Sequence, residues 1–254
     1  MSELNHLSSV LKSVSKPGRY IGGEYNSIIK EKDKVSCRFA FCFPDTYEIG
    51  MSNLGLRILY DCLNRHPDVW CERVFAPWVD MVERMREYSL PLVTLESGDP
   101  VSEFDLVGIS LQYELCYTTA LQMLRLADIP LRASERTEEH PIIIGGGPCV
   151  YNAEPVAPFF DLFNIGEGEE VLVELADLCV SMKKDGSYTR SAYLRRAARE
   201  IEGVYVPAFY DVSYNEDGTI RAYTPLYDDI PTKIKKRIIK DLDKAPYPEK
   251  LVMP

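Results

Sequence analysis

Residues Val35–Gly50 read VSCRFAFCFPDTYEIG. The apolar run ending at Phe43 suits a strand buried on both faces of a parallel sheet, because helices cover both sides of such a sheet. Downstream, MSNLGLRILYDCLNRH places Leu54, Ile58, Leu59, Cys62 and Leu63 at helical spacing, with Ser52 or Asn53 available as the cap. VWCERVFAP and WVDMVERMREY form a second strand and helix, and LPLVTLES a short third strand. FDLVGISLQ is a fourth strand before the helix ELCYTTALQMLRLADI. PIIIGGG is a fifth, and FDLFNIG a sixth before the helix EGEEVLVELADLCVSMKKD. SAYLRRAAREI adds a last helix.

Strands alternating with helices of this length predict right-handed crossovers. The expected class is α/β, with a doubly wound, mostly parallel, Rossmann-like sheet. After residue 202 the texture changes to period-two alternation around Asn215–Gly218, a hairpin signal. The expected organisation is a lead-in (1–35), an α/β domain (36–202), a β-hairpin appendage (203–230) and a linker (231–254). The proline-rich ending KAPYPEKLVMP reads as a linker cut short, and the chain as part of a longer protein.

With 29 basic and 39 acidic residues the chain carries a net charge of −10. That argues against nucleic acid as its main partner, since neutralising phosphates needs basic surface. The exception is Lys233, Lys235, Lys236, Arg237 and Lys240, read as a solvated face or a contact surface. No apolar run reaches the roughly 20 residues needed to span a bilayer. The first twenty residues lack the pattern of a signal peptide. The expectation is a cytoplasmic protein without a membrane partner. Seven scattered cysteines form no CxxC pair, and His6, His66 and His140 lie far apart. No protein-built metal site and no catalytic residue is expected.

In open α/β sheets, ligands bind beyond the carboxyl ends of the strands. Four loops qualify: PDTYEIGMSNLG, SLQYE, GGGPCVYN and GEGEE. A nucleotide fits them poorly. GxGxxG and GxxxxGK[ST] are absent, and Glu167, Glu169 and Glu170 stand where a helix N-terminus would otherwise attract phosphate. Those glutamates could accept hydrogen bonds from amides or cap their helix. Trp78 is read as an anchor of its helix and Asp80 as a first-turn acid.

Asp45, Tyr47 and Gly50 form D-x-Y-x-x-G in the first of these loops. This resembles the cobalamin-binding fold, whose loop carries D-x-H-x-x-G with histidine as the lower cobalt ligand. Ser110 would match that fold's serine beyond the fourth strand, and Gly145 and Gly146 its glycine pair beside the nucleotide tail. Tyr47 departs from the pattern, because a neutral phenol with a pKa of about 10 is a poor ligand where imidazole is a good one.

The longer series RVFAPWVDM, GISLQYE, GGGPCVYNAEPVAPFFDLFNIGEGEE and KAPYPEKLVMP resembles the N-terminal portion of cobalamin-binding-domain radical S-adenosylmethionine proteins, in particular an uncharacterised bacterial family. The resemblance implies an accessory domain that holds cobalamin without a histidine lower ligand. Its implied contacts are Pro44, Asp45, Tyr47, Gly50, Asn53 and Ser110, together with Gln112, Gly145, Gly146, Gly147 and Gly166. It also implies that the [4Fe–4S] cluster and S-adenosylmethionine belong to a core domain outside this chain, which is the expected partner. The reaction would be methyl transfer or a related radical modification, with the substrate unnamed. The alternative is a degenerate domain without corrinoid that docks a partner or recognises substrate. A free-standing flavodoxin-like nucleotide-binding protein is a third reading.

Overall fold

The computed structural model describes residues 9–253; the first eight residues of the lead-in and Pro254 lie outside them. Six strands form the main sheet: β1 (Cys37–Phe43), β2 (Val69–Phe75), β3 (Leu106–Ser110), β4 (Ile142–Gly146), β5 (Leu162–Asn164) and β6 (Val204–Tyr205). Their order is β2-β1-β3-β4-β5-β6. The first five run parallel and β6 is antiparallel to β5. Every residue of β2 and all but one of β1 are buried, which accounts for the near-continuous apolar text of that part of the sheet.

Beyond a helical stretch at 9–13, the α-helices of the described residues are α1 (Tyr47–Ser52), α2 (Leu54–Arg65), α3 (Val79–Tyr88), α4 (Tyr117–Leu126), α5 (Gly168–Lys184) and α6 (Arg190–Glu200). Asn53 caps α2, its side chain accepting from the Leu56 N–H at 2.9 Å. A separate hairpin joins β7 (Tyr210–Tyr214) to β8 (Ile220–Pro225). From β1 the chain steps outward to β2, then returns to build the rest of the sheet from β3. The strand order therefore reverses between β1 and β3, opening a crevice at their carboxyl ends.

Three expectations are corrected. LPLVTLES is a loop, touching the sheet edge through Leu95 N–H to Arg73 O at 3.0 Å. Its polar side chains explain this: Glu96 accepts from the Arg73 backbone N–H and from its Nε, both at 2.7 Å, and Thr94 bonds to Glu72. The loop thus meets β2 through one backbone–backbone hydrogen bond and several side-chain contacts instead of a strand ladder. The DTYEIGMS segment, read as open loop, coils into α1 with Asp45 Oδ1 accepting from the Thr46 N–H at its start. Val204–Tyr205, assigned to the hairpin, closes the main sheet as its antiparallel edge.

The segment after the hairpin returns to the domain. Arg237 lies alongside Gly166 as a parallel bridge, with Arg237 N–H donating to Ile165 O at 2.9 Å. Farther on, Met253 and Tyr25 exchange both backbone hydrogen bonds, at 2.9 and 3.0 Å, and Val252 is buried. Among the described residues, no helix is long and apolar enough to cross a membrane.

Candidate functional site

Beyond the carboxyl ends of β1, β3, β4 and β5 lies a cleft of about 220 Å³. The sheet contributes Phe41, Gly108, Ile109, Ile144 and Asn164, and the helices contribute Leu56, Leu59 and Leu172. Loop residues Asn53, Ser110, Gln112, Gly146, Gly147 and Gly166 add to it, and Gly55, Glu167, Gly168 and Glu169 at the starts of α2 and α5 complete it, so two carboxylates stand in its wall. No Lys, Arg or His is among the residues lining it. A wider open groove of about 700 Å³ runs along α4, lined in part by Arg86 and Arg125; none of the predicted residues reaches it.

The glycines divide by what surrounds them. A Cβ on Gly50 would stand 2.1 Å from the Phe75 ring, and one on Gly145 would stand 2.5 Å from Phe163. Both are packing glycines, pressed against aromatic rings, and neither lines the cleft. Gly146 has nothing within 4 Å of its Cβ position, so its face is open space. Gly147 adopts φ +96°, a left-handed conformation that turns the chain past Leu111. At Gly166, with φ +124°, a Cβ would meet the Arg237 carbonyl oxygen at 2.2 Å. The close approach permitted by Gly166 is that of this chain's own backbone.

Pro44, Asp45 and Tyr47 also stand outside the cleft wall. Tyr47 packs edge-on against Phe75, ring centroids 5.4 Å apart. Burial, with the nearby Glu24 carboxylate adding to it, pushes its phenol up to about 12. A phenol so held is neutral at physiological pH and unsuited to ligating a metal. Asp45 ties two of the loops together, its Oδ2 accepting from the Tyr113 hydroxyl at 2.9 Å.

Two carboxylates of the GEGEE turn, Glu167 and Glu170, bind the returning segment, while Glu169 faces the cleft. The Arg237 guanidinium donates to Glu170 at 2.6 Å and to Glu174 at 2.6 Å. Glu167 accepts from the Ile239 N–H, and its side chain makes no capping bond to its own helix. The lysines of that segment are exposed, whereas Arg237 is drawn in.

Composition gave no hint of Asn164. It ends the apolar strand β5, is 3% exposed, and its Oδ1 has no hydrogen-bond donor among the described residues. A buried carbonyl left unpaired costs about 1–3 kcal/mol, so an orphan beside a cleft marks a place where a ligand can supply the partner. Near it, Ser110 Oγ accepts from Gln112 Nε2 at 2.5 Å. Gly108 was also missed, as a glycine inside a strand whose neighbours are all apolar. The signal for both was a residue out of keeping with a buried strand.

Among the described residues, one group has metal-ligand geometry: Cys37, Asp105 and Cys179, whose donor atoms lie within 4.8 Å of one another. It sits at the opposite, amino end of the strands. The Lys183 ammonium already lies 2.6 Å from Asp105 Oδ1. Contact with Cys179 and burial raise the Cys37 thiol well above its ordinary range, keeping it protonated. Trp78 is half exposed, with the Arg19 guanidinium over its ring, and Asp80 accepts from Ser15 N–H and Oγ–H, both at 2.8 Å.

Residues 55–207 match a family model described as radical SAM proteins, N-terminal. The match begins after the D-x-Y-x-x-G loop and contains β2 to β6. A curated relative, an uncharacterized protein of Methanocaldococcus jannaschii, is 28% identical over 145 residues. That stretch is 56% of this chain and 27% of the relative, so the similarity spans about a quarter of the longer protein. No solved structure matches the chain.

Proposed function

The chain belongs to the family of N-terminal regions of radical SAM proteins, and from that premise we propose that it is the accessory domain that seats a corrinoid for a radical S-adenosylmethionine core. Membership implies S-adenosylmethionine and an iron–sulfur cluster in that core. The observation that carries the corrinoid reading is the cleft itself. It lies at the reversal of strand order, has several glycines in its wall, holds one buried acceptor without a donor among the described residues, and is lined by two glutamates and no cation.

A phosphate-led ligand would want basic groups there. A heterocycle at the end of a mostly neutral cofactor wants flat apolar walls and hydrogen-bond partners. The volume is below the roughly 300–1,000 Å³ of pockets that enclose a drug-sized ligand. It therefore suits the nucleotide tail of a corrinoid, with the ring left outside the strand ends. When bound, the corrinoid would supply a cobalt centre for methyl transfer or a related radical modification.

In this reading Gly146 leaves room for the tail, while Leu56, Leu59 and Leu172 exclude water from it. The packing of Tyr47 against Phe75 gives the cobalt no protein ligand from that position. Exposed Ile49, Leu54, Trp78, Tyr113, Leu115 and Tyr151, all in segments that follow strands of the sheet, offer the core an apolar rim. That rim also favours a second reading, in which the domain has lost the corrinoid and only docks a partner.

Absorbance titration of the purified chain with hydroxocobalamin and methylcobalamin separates the two. Saturable binding, with methylcobalamin in its base-off form, supports the corrinoid carrier. Absence of binding by both this chain and the full-length protein leaves the docking module.

A further inference from the structure

The orphan acceptor of Asn164 carries a prediction about which corrinoid the cleft takes, and it rests on the corrinoid reading above. The orientation of the amide follows from its neighbours. Asn164 Nδ2 faces the Gly166 carbonyl oxygen at 3.5 Å and stands 3.5 Å from the Cβ position of Gly168. Turning the amide over would set its oxygen against that carbonyl oxygen. The acceptor is therefore the atom left over, 97% of its residue being withdrawn from solvent.

The surroundings narrow the ligand further. Phe41, Leu59, Ile109, Ile144 and Leu172 make the walls apolar, and Gly108 in the sheet wall packs against the Phe39 ring, 2.8 Å from where its Cβ would stand. At the loops, Ser110 and Gln112 already bond to each other, Glu167 accepts from the Ile239 N–H, and Glu169 adds a second carboxylate at the cleft mouth, so Asn164 is the acceptor of the buried end. A slot of this kind accepts a flat ring whose buried edge carries a hydrogen-bond donor, because a ring without one leaves the Asn164 oxygen desolvated and unpaired.

We propose that the cleft selects its corrinoid by the tail base, favouring a base with an edge donor over dimethylbenzimidazole. A hydroxyl on a benzimidazole or the amino group of a purine supplies such a donor. Dimethylbenzimidazole would present methyl groups to Asn164. The selecting atom is Asn164 Oδ1, acting on a base released from cobalt and inserted between the sheet and α2 and α5.

Purines leave cobalt more readily than benzimidazoles, so the test compares two benzimidazoles of similar basicity. The chain is titrated with hydroxybenzimidazole cobamide, methoxybenzimidazole cobamide and tail-less cobinamide, following corrin absorbance. The hydroxy form is expected to bind about tenfold tighter than the methoxy form, the worth of one buried hydrogen bond. Asn164→Leu should bring the two together. Equal binding of both tailed forms by the wild-type chain overturns the role of Asn164 while leaving the corrinoid reading intact. Failure of all three to bind either this chain or the full-length protein removes the corrinoid reading, and this inference with it. The wild-type comparison decides the matter even if the variant does not fold.

Discussion

Gly166 and Arg237 lie backbone to backbone, so close that a Cβ on the glycine would overlap the arginine's carbonyl oxygen at 2.2 Å. The glycine turn at the carboxyl end of the sheet is thereby fastened to a segment some seventy residues later, and Arg237 secures the contact with Glu170 and Glu174.

Gly166→Ala should detach that segment. The substitution combines a left-handed backbone with a backbone clash, and the expected loss is on the order of 1–3 kcal/mol. Hydrogen exchange should show the amides of Arg237 and Ile239 losing protection ahead of the sheet. Protection unchanged at both would contradict the assignment.

Gly145 and Gly146 are adjacent and should behave oppositely. Gly145→Ala pushes a methyl group into Phe163 and should cost about 1–3 kcal/mol in denaturant unfolding. Gly146→Ala enters open space, so stability should stay within about 0.5 kcal/mol while corrinoid binding weakens. If both variants lose stability equally, the open face at Gly146 is wrong.

Asn164→Leu should leave the ligand-free chain no less stable than the wild type, since the buried acceptor it removes has no donor and the amide's one bond, to the Gly166 carbonyl, is long at 3.5 Å. A fall in melting temperature would mean that Asn164 is held by the fold and not reserved for a ligand. Site residues that cost stability are common where function needs them.

The segment Ser15–Arg19 should come loose in acid. Burial works to raise Glu48, yet hydrogen bonds from its own backbone, Lys16 and Arg19 hold it down to about 2. Asp80 is lowered by the Ser15 backbone N–H, again against burial. A carboxylate depressed in the folded state stabilises above its ordinary pKa and loses that contribution as pH falls through the folded value. These contacts should therefore hold at neutral pH and weaken from about 4 to 2. The readout is Trp78 fluorescence, since Arg19 stacks on that ring and Tyr20 accepts its backbone N–H. A flat signal across this range would count against the tether.

The parallel strands were legible because burial on both faces writes the same apolar text for Phe39 as for Ile143. LPLVTLES was misread because its alternation serves Glu72 and Arg73 by side chains, a contact that periodicity does not encode. Within the candidate site, the loops were legible from strand order, whereas the roles of the glycines were not. Gly50, Gly145 and Gly146 are the same letter, and only a neighbouring ring distinguishes packing from open space. Asn164 stayed hidden because a polar residue ending a strand is ordinary until its partners are sought.

The pairing of Tyr25 with Met253 has a consequence for how the molecule assembles. Two segments so far apart in sequence meet only after much of what lies between them has condensed, since closing so long a loop early is entropically costly and gains only this bridge, the Asn26–Leu251 hydrogen bond and the burial of Val252. This seam should form last during folding and open first under stress. Folding should therefore close this seam over a sheet that already stands.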